Sequence, residues 1–156
     1  MYDVTSVDPR HGNYIAGFTD GEGSFNVSLR PRPDFTHGWK ISASFNVSKK
    51  DRVILAHIKN ILKCGTLRER KDGIVYYEVT NIESLYHNVV PFFKRFGFLS
   101  ATKKKNFSIF VRIVEKMYHN EHLTREGFDE IIQLREQLNE GIGRKRLYTE
   151  SDVHAQ

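Results

Sequence analysis

A chain of 156 residues is the length of one ordinary domain, and its 39% hydrophobic content, with eleven Phe, seven Tyr and one Trp, supplies a core that excludes global disorder. The single cysteine, Cys64, excludes an internal disulfide, a cysteine-rich zinc cluster and an iron–sulfur centre. Twenty-four Lys and Arg against 19 Asp and Glu leave a charge of +5, which favours a polyanionic partner over an acidic interaction module.

Residues 1–11 read as a flexible lead, and Met1-Tyr2-Asp3-Val4-Thr5-Ser6 has neither the basic start nor the apolar stretch of a secretory signal. His11 to Asp20 fits a short helix, which Asp20-Gly21-Glu22-Gly23 ends in a tight turn because two close glycines free the backbone. Ser24–Arg30 and Lys40–Ser48 alternate polar and apolar residues, the period of strands with one buried face, and Pro31-Arg32-Pro33-Asp34 makes a loop between them. Asp51 to Leu62 reads as a helix, with Val53, Ile54, Ile58, Ile61 and Leu62 at helical spacing and Gly65 as its stop. Thr66–Arg70 and Ile74–Thr80 form a hairpin through Lys71-Asp72-Gly73. Ile82 to Phe96 is a further helix with Pro91 as a kink or boundary, followed by helices over Lys104–Tyr118 and Thr124–Asn139. Gly141 to Gln156 is expected to be a loose tail that opens basic. Apolar runs such as Val89-Val90-Pro91-Phe92-Phe93 are too short to span a bilayer, so no membrane partner is expected. The order predicts an α+β domain over residues 12–140 with an antiparallel sheet covered by helices on one side.

The other side of that sheet is polar. Alternation sends Phe25, Val27, Leu29, Ile41, Ala43, Phe45 and Val47 inward, and Ser24, Asn26, Ser28, Arg30, Lys40, Ser42, Ser44, Asn46 and Ser48 outward. The second hairpin adds Arg68, Arg70, Tyr76 and Glu78. Amides, hydroxyls and cations in mixture suit base edges in a major groove, although an ordinary solvated face has the same pattern. Gly17 and Gly21 stand four apart, so one helix side lacks Cβ atoms and a second helix can approach closely. Two such helices would bring terminal carboxylates within a few ångströms of each other. Paired carboxylates repel unless a divalent cation lies between them, and oxygen-only ligands suit magnesium. Taken alone, Asp20 and Glu22 also fit turn chemistry and capping. A calcium loop is excluded, because Phe25 and Pro31 occupy the positions that need glycine and glutamate. Lys103-Lys104-Lys105 opens a helix against the dipole, which either a phosphate or plain solvation compensates. His119-Asn120-Glu121-His122 has no third ligand nearby and reads as a helix end.

Tyr14-Ile15-Ala16-Gly17-Phe18-Thr19-Asp20-Gly21-Glu22-Gly23-Ser24 closely resembles the LAGLIDADG signature, keeping both motif glycines, the aspartate, the penultimate acid and the final glycine. With the matching element order, the resemblance covers residues 12–146 and implies a single-motif, homodimeric, intron-encoded homing endonuclease. The fold it implies is αββαββα, with a saddle-shaped antiparallel sheet and an extra C-terminal helix. The resemblance makes Glu22 the catalytic, metal-binding acid, the Gly21 carbonyl a metal ligand and Asp20 a structural acid. It puts Ala16, Gly17, Asp20 and Gly21 at the dimer interface. Glutamate at position 22 is within the family's range. The family's active-site lysine aligns with Lys103, or with Lys104 or Lys105 in neighbouring registers, and Lys49 falls where relatives often carry glutamine. The DNA-reading saddle corresponds to the polar face, with Arg32 beside it, and Arg144-Lys145-Arg146 to a phosphate-contacting loop.

The same resemblance implies Mg2+, with Mn2+ substituting and Ca2+ binding without efficient cleavage. It implies a double-stranded DNA partner and a break leaving 5′-phosphate, 3′-hydroxyl and short 3′ overhangs. The expected setting is intracellular, a bacterial cytoplasm or an organelle (chloroplast or mitochondrion). Two rivals share the scaffold: an RNA-binding maturase, against which Glu22 and Lys103 argue, and a non-catalytic DNA-binding regulator, which usually carries an additional domain.

Overall fold

The structure is a computed structural model, and it describes residues 1–139 and 148–154. Its first helix, α1 (Pro9–Glu22), starts earlier than expected because Asp8 caps it, accepting from the Arg10 amide at 2.9 Å, with Pro9 in the first turn. The eleven-residue lead is ordered rather than flexible. Asp3 caps a 3-10 turn over Val4–Ser6, Val7 is buried, and the Arg95 guanidinium donates to the carbonyls of Val4 and Val7. Short polar caps carry no periodicity, which is why the sequence pattern did not reveal them.

The expected turn at the end of α1 is absent. The helix continues through Glu22, and β1 (Gly23–Pro31) begins at the next residue. Gly23 closes the joint instead of bending it, since a Cβ there would lie 2.5 Å from the Thr19 methyl. β2 (Trp39–Lys49) pairs antiparallel with β1 in the register Ser24↔Asn46, Asn26↔Ser44, Ser28↔Ser42 and Arg30↔Lys40. α2 (Arg52–Leu62) follows with Asp51 as its cap and buries Leu55, Ile58 and Leu62. Val53, assigned to the apolar stripe from spacing, is instead 77% exposed.

β3 (Thr66–Glu69) and β4 (Val75–Val79) complete a four-stranded antiparallel sheet in the order β1-β2-β4-β3. Gly65, at φ +90°, lets the chain enter β3 against the Tyr77 ring, where a Cβ would come within 2.6 Å. Next comes one helical run with a defect: α3 (Ile82–Ser84), a π turn over Leu85–Val89, and α4 (Val90–Arg95). The Val90 amide donates to the Leu85 carbonyl, five residues back, immediately before Pro91, which has no amide to donate. α5 (Ala101–Tyr118) begins three residues before the expected Lys104, because Ser100 caps it and accepts from the Lys103 amide at 3.1 Å. α6 (Arg125–Gln137) is capped by Thr124.

The expected loose tail is partly folded: α7 (Glu150–His154) buries Val153, and Tyr148 meets Trp39 edge-on at 5.2 Å. Arg144, Lys145 and Arg146 lie outside the described residues. The fold is α+β, and its core fills the space between the helices and one face of the sheet. Phe25 centres that core, with Phe45, Phe93, Phe98, Phe107 and Phe110 around it at centroid distances of 5.0–5.9 Å. Burying a side chain of that size is worth roughly 1.5–3 kcal/mol, which holds strand alternation to one register.

Candidate functional site

Three features converge where α1 runs into β1. The first is a carboxylate. Glu22 is the last residue of α1, its side chain is half exposed, and Lys49 at the end of β2 approaches it at 3.8 Å. Lys49 also lies over the Phe18 ring at 5.3 Å. A half-exposed ion pair at that distance contributes at most about 1 kcal/mol, so Glu22 is readily released to another ligand.

Asp20 is used differently. Its carboxylate accepts from the Leu99 amide at 2.9 Å, the Ser100 amide at 3.1 Å and the Ser100 hydroxyl at 2.6 Å, which fixes the end of α1 to the start of α5. Burial pushes this carboxyl up, but the Ser100 hydroxyl and amide, the Leu99 amide and the Lys103 charge outweigh it and hold the group below the usual carboxylate range. The folded value therefore lies below the unfolded one. Its stabilisation is complete above about pH 4 and is lost as pH falls through the lower, folded value. In acid titrations followed by circular dichroism, the parent is expected to lose stability through that window more steeply than Asp20→Asn.

Lys103 completes the joint from beneath. Its half-buried ammonium donates to the Gly23 carbonyl, the first residue after Glu22, and burial pushes its pKa down against the pull of Asp20. Lys104 and Lys105 are exposed on the same helix. Lys103 is thus the lysine of the triplet that reaches the α1–β1 joint, next to the Glu22 backbone.

The second feature is the outer face of α1. A Cβ on Gly17 or Gly21 would meet nothing within 4 Å, and Tyr14 on the same side is 63% exposed. Ala16, expected at the interface, is 2% exposed and packs inside its own chain, since it shares a helix face with Gly12, Ile15 and Thr19. The pattern reversal has a simple cause: Gly17 and Gly21 sit on one side of the helix and Ala16 lies about a quarter-turn away. Tyr14, missed in the sequence, takes its place on the open side.

The third feature is the polar face of the sheet. Thr66, Glu78, Asn46 and Ser24 form one row across all four strands. Arg30 and Lys40 stand opposite each other, two cations on one face that repel unless an anion lies between them. On the far hairpin, the Tyr76 hydroxyl accepts from Arg70, which also pairs with Asp72 at 3.0 Å, while Arg68 lies 6.0 Å from the Tyr76 ring. Arg32 lies on the β1–β2 loop, as its place between two prolines implies, and Asp34 binds it through two contacts of 3.0 and 2.8 Å. Ser28 and Ser42 face each other midway along the ribbon. A residue with no sequence signal, Asn139, bonds to the β1 backbone from the end of the helical layer.

The Glu22 carboxylate with neighbouring backbone carbonyls is a hard, all-oxygen donor set of the kind magnesium takes. Among the described residues no cluster of three or more His, Cys, Asp or Glu side chains is poised to hold a metal ion. Glu22 is the half-exposed carboxylate at this point, since Asp20 is taken up by Leu99 and Ser100.

A family model described as LAGLIDADG endonuclease matches residues 15–114. The probable intron-encoded endonuclease 2 of Neurospora crassa is 35% identical over 136 residues, which is 85% of this chain and 30% of the fungal protein. The chain spans less than a third of the length of the first curated relatives it matches. An archaeal intron-encoded homing endonuclease, I-Vdi141I, solved in complex with DNA, superposes with a TM-score of 0.82 at 27% identity, covering 92% of this chain and 90% of that one. The meganuclease I-SmaMI, bound to uncleavable DNA, superposes at 0.81 with 26% identity, covering 95% of this chain and 48% of that one.

Proposed function

The chain belongs to the LAGLIDADG endonuclease family, and from that premise we propose that it makes a site-specific double-strand break in DNA as a homodimer, with Mg2+ held where two copies meet. The observation that carries this reading is the joint itself: an acid, Glu22, between a helix face open at Gly17 and Gly21 and a strand whose outer side is polar. One acid per copy and two scissile phosphates per break call for two copies. A two-fold pairing through α1 makes the target a near-palindrome. The superpositions support this arithmetic, since the chain accounts for nearly all of one relative and about half of another.

In this arrangement Glu22 and the Gly21 carbonyl from each copy would hold the cation. Once bound, Mg2+ would lower the pKa of water at the site and offset charge on the departing 3′ oxygen, leaving a 5′-phosphate, a 3′-hydroxyl and short 3′ overhangs. Mn2+ is expected to substitute and Ca2+ to support binding without efficient cleavage. Asp20 holds the end of α1 to α5, so Glu22 is presented by a fixed backbone. Lys103 holds the Gly23 carbonyl from below, and its ammonium, with that of Lys49, keeps the site positive beside a phosphate. Arg30 and Lys40 bind backbone phosphate at the outer end of the sheet, and the amides and hydroxyls between them and Glu22 read base edges.

No helix among the described residues is long and apolar enough to cross a membrane. An intracellular setting in bacteria or an organelle fits a DNA target. The direct test is selection of cleaved sequences from a random duplex library in Mg2+. Enrichment of one long, nearly symmetric sequence is the expected result. Tight binding to structured RNA with no enrichment from the DNA pool would overturn the cutting reading in favour of an RNA-binding role.

A further inference from the structure

A series of side-chain hydrogen bonds crosses the polar face near Glu22, and a backbone atom at its edge sets its direction. Asn139 is held at φ 56°, two residues past α6, with its amide donating to the buried Asn106 Oδ1 at 3.0 Å. Its side-chain Nδ2 donates to the Phe25 carbonyl at 2.8 Å. A carbonyl only accepts, so this bond decides which end of the Asn139 amide is nitrogen.

The same nitrogen faces Asn26 Oδ1 at 3.3 Å, which leaves the Asn26 nitrogen to donate, and it meets Ser24 Oγ at 2.7 Å. The Ser24 hydroxyl then donates to Asn46 Oδ1 at 2.9 Å, and Asn46 Nδ2 points to Ser44 Oγ at 3.4 Å. Every link runs from donor to acceptor in one sense. Reversing Asn139 or Asn26 would set like atoms against each other, and reversing Asn46 would bring its nitrogen to 3.5 Å from the Asn26 nitrogen, where its oxygen now accepts. The four face residues form a compact square, because Ser24 opposes Asn46 and Asn26 opposes Ser44. At its end, the second Asn46 N–H and the Ser44 hydroxyl proton remain, and both are donors.

We propose that Asn139 is a positioning residue for base recognition, pinning the polarity of the Asn26–Ser24–Asn46–Ser44 square so that it presents donors and selects base edges that accept. Guanine, with N7 and O6 side by side, satisfies two donors at once, whereas the cytosine amino group satisfies neither. The inference rests on the DNA-cutting reading and adds a determinant that lies off the reading face.

The test uses selection of cleaved duplexes by the 156-residue parent chain, Asn46→Ala, Asn26→Ala and Asn139→Gly. Glycine is at ease at positive φ, so Asn139→Gly removes the side chain and leaves the backbone and its bond to Asn106 in place. The base pairs at which Asn46→Ala relaxes preference define what the square reads. At those base pairs the parent is expected to favour guanine over cytosine, and Asn26→Ala and Asn139→Gly are expected to reduce that discrimination about tenfold. Preference at base pairs outside that set, such as those read by Arg68, is expected to stay within about twofold. A profile for either variant that matches the parent at the square's base pairs overturns the proposal, whatever happens to its melting temperature. A parent that favours cytosine there overturns it too. A parent that enriches no DNA sequence overturns the cutting reading, and this inference with it.

Discussion

Glu22→Gln is expected to cut DNA at least about a thousandfold more slowly than the parent while binding the same duplex within about threefold. Glutamine keeps the volume and one acceptor but loses the charge that attracts a divalent cation. Cation chemistry at a scissile phosphate supplies several kcal/mol, and each 1.4 kcal/mol is a factor of ten. On the proposed reading, binding would rest mainly on phosphate contacts made by other residues, Arg30 and Lys40 among them, so it should survive. Cleavage rates in Mg2+ and fluorescence anisotropy without divalent metal measure the two arms. Parent-like cutting by Glu22→Gln would remove the acid from the mechanism.

Gly17→Leu is expected to separate folding from association, with effects of opposite sign. No atom lies within 4 Å of the position a Cβ would take, so the leucine fits the isolated chain. Replacing glycine in a helix interior should raise the stability of the single copy by about 1 kcal/mol. In the proposed dimer the same side chain would be inserted twice into a seam that glycines keep narrow, at roughly 1–3 kcal/mol per insertion, and dimer affinity should fall at least about thirtyfold. Thermal melts and sedimentation equilibrium on one sample read both quantities. A destabilised monomer, or an unchanged dimer, contradicts the assignment of the α1 outer face. Ala16→Leu offers a contrast: Ala16 is 2% exposed, so a larger side chain there should damage the core of the single chain.

Much of this architecture is legible in the sequence because strong hydrophobic periods are hard to override. Strict alternation in Ser24–Arg30 and Lys40–Ser48 recurs as strict alternation of burial along β1 and β2, since a slip by one residue would expose Phe25 and Phe45. What escaped the sequence has no period. Asp3, Asp8 and Ser100 act through single caps: Asp3 orders a turn in the lead, and the other two move helix starts by two and three residues. Val53 has helical spacing, yet it sits one turn too near the exposed start of α2. Gly17 and Gly21 indicated a close approach, but only the orientation of α1 on its own sheet shows Tyr14 turned outward and Ala16 turned in. Asn139 joins Asn26 across 113 positions, a partnership that no local pattern encodes.

In the proposed dimer two Glu22 side chains meet under one duplex. Native mass spectrometry of the protein on its selected target duplex tests it most directly. The expected mass is that of two chains on one duplex, and Gly17→Leu should shift the population towards a single bound chain. A parent complex containing one chain per duplex, still able to cut both strands, would contradict the account.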